Sequence, residues 1–310
     1  MQEVQKHIPV MLSEVIKALD IKDGGVYLDA TFGFGGYTKA ILEAKNCRVI
    51  AVDRDPNVCG RAEEIKKLYQ NRFDFKQGCF SNLDELVGES LDGVVFDIGV
   101  SSMQLDEAER GFSFSKEGRL DMRMSCEGKS AYDIVNAYTA EDIADILYRF
   151  GEERKSRQIA QKIVQKREIK PIETTTELAD IVRSVVYKKF GDTDPATRTF
   201  QAIRIAVNDE LFELEEGLKA AAKCLKEGGR LVVVDFHSLE DRIVKMFFKQ
   251  NSAPKEHVSR YKVSTQNTDN KLFSYVSKAI LPSEDEVKIN PRSRSAKLRF
   301  AVKNKGERND

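Results

Sequence analysis

Asp29-Ala-Thr-Phe-Gly33-Phe-Gly35-Gly36 decides the fold of this chain, because it joins an apolar run to a helical pattern. Val26–Asp29 reads as a short buried strand ending in a carboxylate, and residues 37–45 read as a helix. Between them the glycines allow a tight turn and let a ligand come close to the backbone. The run Arg48–Asp53 (RVIAVD) is a second buried strand that also ends in a carboxylate, Asp53, seventeen residues after Gly36, and Pro56 opens the next helix. Phe73–Gln77 is a weaker strand, and Asp92–Ile98 (DGVVFDI) a strong one containing Asp97. Strands alternating with helices imply parallel βαβ units and a doubly wound α/β sheet. In such a sheet, ligands bind beyond the carboxyl ends of the strands.

The loop itself discriminates between ligands. A dinucleotide fingerprint needs a third glycine three residues after Gly35, where this chain has Thr38. The pattern is instead an acid, three residues, then Gly-x-Gly-Gly. A carboxylate at the loop entrance (Asp29) suits a ligand with an ammonium and a sulfonium and no phosphate, and Asp53 can accept both ribose hydroxyls. The expected class is therefore a Rossmann-like class I S-adenosylmethionine-dependent methyltransferase sheet with an inserted all-helical domain. An NAD-dependent oxidoreductase is the competing enzyme class, and a non-enzymatic RNA-binding assembly factor the competing non-enzyme. No P-loop lysine motif is present, which argues against nucleotide hydrolysis.

From about Asp106 to Thr197 no comparable apolar strand occurs. Amphipathic helical stretches replace it: Ala140–Tyr148, Glu152–Arg167 and Glu177–Tyr187, the last preceded by a Thr174–Thr176 cap with a capping-box carboxylate. The expected domains are 1–105 with 198–310 for the sheet, and 106–197 for the inserted helical domain, assigned to substrate recognition. The α/β rhythm resumes with one long helix from Arg198 to Lys226, stopped by Gly228–Gly229. Strand Arg230–Phe236, helix Ser238–Lys249, a polar mobile segment Asn251–Asn270, and a closing strand pair at Leu272–Ile280 and Ala296–Val302 follow.

Composition bounds the rest. Net charge is zero, yet Arg149–Lys189 holds eleven Lys/Arg against six Asp/Glu, and Lys288–Asp310 eight against two. Arg154, Arg157, Arg198, Arg204, Arg292 and Arg294 are the cations read as RNA contacts, against the plainer reading of solvated faces. The five cysteines form no C-x-x-C pair and are read as small buried hydrophobes in a reducing cytoplasm. His7, His237 and His257 lack metal-ligand spacing, so no metal is expected. No apolar run is long enough for a transmembrane helix, and the N-terminal residues lack a secretory signal.

Two more stretches carry candidate chemistry. Asp97, Ser101, Ser102 and Gln104 follow the fourth strand, facing either cofactor or acceptor amine, while the serines alternatively cap the next turn. His237 follows the fifth strand, as a catalytic contact or a structural hydrogen-bonding group. Phe112 and Phe114 are either stacking platforms for a splayed base or core.

With these residues assembled, the chain resembles the bacterial 16S rRNA (cytosine-N4)-methyltransferases, the RsmH/MraW family. The resemblance rests on His7-x-Pro-Val-Met-Leu-x-Glu14, Asp29-Ala-Thr-Phe-Gly-x-Gly-Gly36, Asp53-Arg-Asp-Pro56, and Asp97-x-Gly-Val-Ser-Ser-x-Gln-Leu-Asp106. Glu109-Arg-Gly-Phe-Ser-Phe114, Leu120-Asp-Met-Arg-Met124, Tyr148-x-x-Gly-Glu-Glu-Arg154, Pro195-Ala-Thr-Arg-Thr-Phe-Gln-Ala202, Phe236-His-Ser-Leu-Glu-Asp-Arg-Ile-Val244 and Asn290-Pro-Arg-x-Arg294 extend it nearly end to end. It implies N4-methylation of a decoding-centre (P-site) cytosine in 16S rRNA, with the 30S subunit as partner and no membrane. It also implies cofactor contacts at Gly35, Gly36, Tyr37, Asp53, Phe80, Asp97 and Gln104, to which the residues themselves add Asp29 and Gly33. The family usually has His at Tyr37 and Pro at Met103. Oligomeric state, monomer or homodimer, stays open, as does naked rRNA against the 30S particle. A DNA amino-methyltransferase is the nearest alternative in chemistry.

Overall fold

A computed structural model describes residues 9–187, 193–252 and 271–305. The mobile segment expected at Asn251–Asn270 lies outside the described residues apart from Asn251 and Ser252, and so do His7 and His257. The chain divides into two compact units, Met1–Gly99 with Leu211–Asp310, and Val100–Glu210.

The first unit is a seven-stranded sheet. Its strands are β1 (Val26–Asp29), β2 (Arg48–Asp53), β3 (Phe73–Gln77), β4 (Leu91–Asp97), β5 (Leu225–Asp235), β6 (Phe273–Val276) and β7 (Lys297–Lys303), in the order β3-β2-β1-β4-β5-β7-β6. All pairs are parallel except those made by β7, which runs antiparallel to both β5 and β6. This is the expected Rossmann-like α/β sheet, closed by an antiparallel pair, and the helical unit enters the chain after β4.

Helices follow in chain order: α1 (Leu12–Leu19), α2 (Gly36–Ala44), α3 (Cys59–Tyr69), α4 (Leu83–Val87), α5 (Ser102–Asp106), α6 (Ala131–Ala137), α7 (Ala140–Gly151), α8 (Ser156–Arg167), α9 (Thr175–Val185), α10 (Ala196–Asn208), α11 (Glu210–Cys224), α12 (Ser238–Gln250) and α13 (Glu284–Ile289). Strand residues alternate between two cores because successive side chains point to opposite faces. Tyr27, Val49, Ala51, Val95 and Val232 pack with α1, α2 and α3. Leu28, Ile50, Val94, Phe96 and Leu231 pack with α4, α11 and α12. Burial on both faces is why these strands read as unbroken apolar runs.

The second unit has its own core, including Leu120, Ile134, Leu147, Ile159, Ile163, Val182 and Phe200. It extends to Val100 and Glu210, beyond the 106–197 expected, because α10 contributes Phe200, Ala202 and Ile203 to this core. Nor does one helix run from Arg198 to Lys226. Asp209 takes a left-handed conformation at φ 49° and separates α10 from α11. Asn208 makes the break: its Oδ1 accepts from Met124 N at 2.8 Å and its Nδ2 donates to Met122 O at 2.7 Å. Gly228 and Gly229 do not stop a helix but sit within β5, where Gly228 at φ 73° serves an irregularity in the pairing with β4.

Arg204 also departs from expectation. Its guanidinium is clamped bidentately on Glu210, at 2.7 and 2.8 Å, with side chains only 14% and 7% exposed. A cation so held is withdrawn from phosphate contact. Arg204→Ala leaves Glu210 buried and alone, so urea unfolding is expected to show a loss of about 3 kcal/mol; an unchanged midpoint would contradict this.

Candidate functional site

Three carboxylates share one rim and one face of the sheet. Register places Asp29 beside Ala51 of β2 and Val95 of β4, so Asp53 and Asp97 each lie two residues further on, pointing to the same side. Each ends its strand.

Asp29 is completely buried, and its oxygens are used by its own loop. Oδ2 accepts from Thr38 N at 3.1 Å and Thr38 Oγ1 at 2.7 Å, and Oδ1 from Thr31 N at 3.3 Å. Thr38, where a dinucleotide loop would carry glycine, is thus the residue that pins α2 to β1. Thr31 Oγ1 in turn accepts from Asp97 N at 2.7 Å. Asp29 therefore positions the loop rather than presenting a free carboxylate to a ligand. Asp53 lies half-buried and accepts from Gly33 N at 2.7 Å and Asp55 N at 2.9 Å. Gly33 and Gly35 hold φ of 49° and 74°, left-handed values that favour glycine.

Asp97 differs from both: its Oδ1 is buried with no hydrogen-bond partner. Burial pushes its carboxyl well above the usual range, and the charges of Asp29 and Glu240 add to the effect. An unanswered buried acceptor calls for a hydrogen-bond donor from a bound partner. The donor set fits a sulfonium ligand with an ammonium group. Nearby, Tyr37 is buried, its hydroxyl donating to Val10 O. Phe80 stands edge-on to Phe96 with ring centroids 5.6 Å apart.

The chain matches the MraW methylase family over residues 4–304. This chain belongs to the MraW methylase family. Among its relatives, "Ribosomal RNA small subunit methyltransferase H" of Rickettsia massiliae is 54% identical over 301 residues, covering 96% of this chain and 98% of that one. The protein of the same name from Paramagnetospirillum magneticum is 52% identical over 305 residues, covering 96% of each. Rickettsia bellii has another, 53% identical over 304 residues, covering 96% and 99%. This methylase is thus an enzyme whose cofactor is S-adenosylmethionine.

Other candidate residues of this family member fall into different surroundings. Ser101 is the N-cap of α5: its hydroxyl accepts from Gln104 N at 3.2 Å, while Gln104 Oε1 accepts from Ser101 N at 3.0 Å. Ser102 begins that helix and is half-buried. His237 is the N-cap of α12, its Nδ1 accepting from Glu240 N at 3.4 Å and its Nε2 lying 3.0 Å from Glu240 Oε1. Nδ1 serves the helix cap while Nε2 is buried without a hydrogen bond, so the structure is compatible with both readings of His237. Phe112 belongs to the core of the helical unit at 6% exposure, which withdraws it from base stacking. Phe114 packs edge-on to Phe200 at 4.9 Å, beneath Arg183. Arg154, Arg157, Arg198, Arg292 and Arg294 are exposed. Of the cysteines only Cys47 is buried; Cys126 is exposed and the other three are half-buried. No helix among the described residues is long and apolar enough to cross a membrane.

Sequence reasoning passed over Asp235 as a site residue. It ends β5, is completely buried, and neither oxygen has a hydrogen-bond partner. Burial, then the charges of Asp241 and Glu240, push it up to about 8 despite Lys297 and Arg299. The signal was available, since RLVVVD repeats the strand-then-acid pattern of RVIAVD.

These shifts set a pH dependence. Burial raises Asp29 and Asp53 to about 6. A raised carboxyl contributes full stability below its unfolded value of about 4, and that stability is lost as pH rises through the folded value. Asp241, where hydrogen bonds from Lys297 and Arg299 overcome burial to lower the pKa, is already ionised in this window. Without cofactor, Tm in scanning calorimetry is expected to fall from pH 5 to pH 9. A rise over that interval would contradict the assignment.

Proposed function

We infer that this methylase transfers a methyl group to N4 of a decoding-centre cytosine in small-subunit (16S) rRNA, in the cytoplasm. The observation that carries the reading is the unpartnered Asp97 Oδ1 on a rim it shares with Asp53 and the Gly33–Gly36 loop. The name borne by relatives more than half identical over nearly the whole chain supports the substrate class.

Bound S-adenosylmethionine supplies an electrophilic methyl group. Asp53 would take the ribose hydroxyls, and the backbone at Gly33, Gly35, Gly36 and Tyr37, with Phe80, would line the ligand. Asp29 holds the loop in shape through Thr31 and Thr38. Cytosine N4 is a weak nucleophile because its lone pair is delocalised into the ring. Asp97 Oδ1, as a carboxylate, accepts an N4–H and favours a more tetrahedral nitrogen, with Ser102 as a second polar neighbour in sequence. N4 would take the methyl carbon as the sulfonium's bond to it breaks, leaving a neutral thioether, and would release one proton to water. Positioning and fixed dipoles supply most of the acceleration. The helical unit is the part assigned to rRNA recognition, through Phe114, Arg154, Arg157 and Arg198, with Arg292 and Arg294 contributing from the sheet unit.

The test is methyl transfer from labelled S-adenosylmethionine to small subunits lacking the modification, followed by mass spectrometry of the digested rRNA. A single N4-methylcytidine in the decoding region is expected. Cofactor binding without transfer to subunits, naked rRNA or DNA would overturn the reading.

A further inference from the structure

Helix α8 has a solvent face unlike that of its neighbours. Between Arg154 and Arg167 the chain holds no Asp or Glu, whereas α7 exposes Glu141, Asp142 and Asp145. The apolar side of α8, Ile159, Ala160 and Ile163, is completely buried in the helical core. At 3.6 residues per turn, Arg157, Gln158, Gln161, Lys162, Gln165 and Lys166 cover the solvent half of the helix, the glutamines in the middle with Arg157 at one edge and Lys162 and Lys166 toward the other. Five of these are exposed and Lys162 half-buried.

The cations of this segment divide by use. Lys155 Nζ donates to Val185 O at 2.9 Å, and Arg167 donates to Val135 O and Tyr138 O at 2.8 and 2.6 Å, tying α8 to its neighbours. Arg157, Lys162 and Lys166 have no carboxylate partner among the described residues. By contrast, Arg183 and Lys170 of the same unit are ion-paired. Along the axis, Arg157, Lys162 and Lys166 are spaced at roughly 6–8 Å. Between them stand glutamines, whose amides both donate and accept hydrogen bonds.

We propose that this face of α8 docks along the sugar-phosphate backbone of RNA, the three cations meeting phosphates and the glutamines meeting 2′-hydroxyls. A phosphate run needs unneutralised cations at regular spacing. The 2′-hydroxyl, donor and acceptor together, is the group that separates RNA from DNA, and an amide answers both of its capacities. An acidic protein surface would match the cations but leave the glutamines without a role. The proposal rests on the rRNA reading above and adds to it which surface holds the backbone and how ribose is told from deoxyribose.

Two exposed variants test it: Lys162→Gln with Lys166→Gln, and Gln158→Ala with Gln161→Ala and Gln165→Ala. Binding to transcribed small-subunit rRNA and to a DNA of the same sequence is measured against potassium chloride, with cofactor affinity recorded in parallel. The lysine variant is expected to lower the slope of log affinity against log salt by about 2. The glutamine variant is expected to keep that slope and to lose most of the preference for RNA over DNA. Cofactor affinity stays as it was in both. Wild-type rRNA binding that neither variant alters would overturn the α8 proposal and leave the function standing. Loss of binding to assembled subunits but not to naked rRNA would overturn it in favour of a protein partner. Wild-type protein that binds neither naked rRNA nor assembled subunits would overturn both.

Discussion

Asp97→Ala is expected to lower methyl transfer by about 10³-fold, with a weaker hold on the cofactor, and to leave the fold at least as stable at pH 7. On the proposed role of Asp97, the rate effect follows from removing a fixed acceptor at the reacting centre, where single groups account for factors of this order. The stability effect has the opposite sign to that of an ordinary buried-group deletion. Folding raises the Asp97 carboxyl well above its usual range, so at neutral pH the fold must take up a proton or hold a desolvated charge there. Alanine relieves that cost. Site strain of this kind is the usual exchange between stability and activity. Transfer and cofactor affinity both unchanged in Asp97→Ala, read by labelled-methyl assay and calorimetry, would remove Asp97 from the mechanism. A fall in Tm alongside lost activity would show that the residue is structural.

Gly35→Ala is the second large effect. At φ 74°, an L side chain carries a penalty of about 1–2 kcal/mol. A Cβ at this position would lie 2.4 Å from Ile65 Cδ1 and 2.8 Å from Phe32 Cε2. Ile65 and Phe32 are in the core beneath the loop, so relieving the overlap moves the loop. Strain of about 3 kcal/mol, expressed at the Gly33–Gly36 loop proposed to line the cofactor, corresponds to a roughly 100-fold weaker Kd for S-adenosylmethionine. Gly24→Ala supplies the control. It shares the left-handed φ, at 75°, but an added Cβ meets nothing within 4 Å. It should cost only the backbone penalty and leave Kd alone. Equal effects of the two variants on Kd would show that conformation at Gly35, and not its packing, shapes the loop.

How much of this was legible beforehand follows from the range of each interaction. The strand-loop-helix signature at Val26–Gly36, the RVIAVD strand and the parallel order of the sheet all follow from local periodicity and turn chemistry. Those effects act within a few residues and leave their mark in sequence. The rim carboxylates were legible for the same reason, each being the polar end of an apolar run. Capping boxes at Thr174 and Ser101 were also readable, since cap and partner stand three residues apart.

What tertiary structure alone decided involves partners distant in the chain. Whether a carboxylate is free depends on which amides the fold brings to it. Asp29 is consumed by Thr31 and Thr38, while Asp97 and Asp235 keep unanswered oxygens. Arg204 reads from sequence as one more RNA-facing cation, and only the turn at Asp209 places Glu210 against it. The same turn, held by Asn208 bonding to Met122 and Met124 more than eighty residues away, cuts one expected helix into two. Phe112 and Phe114 are two residues apart in one motif, yet one is core and the other half-buried under Arg183. Sequence by itself determined the class of sheet, the acidic rim at its strand ends and the family. The division of its polar groups into those that hold the fold and those left for chemistry was decided by packing, because desolvation and hydrogen-bond satisfaction depend on every neighbour in space.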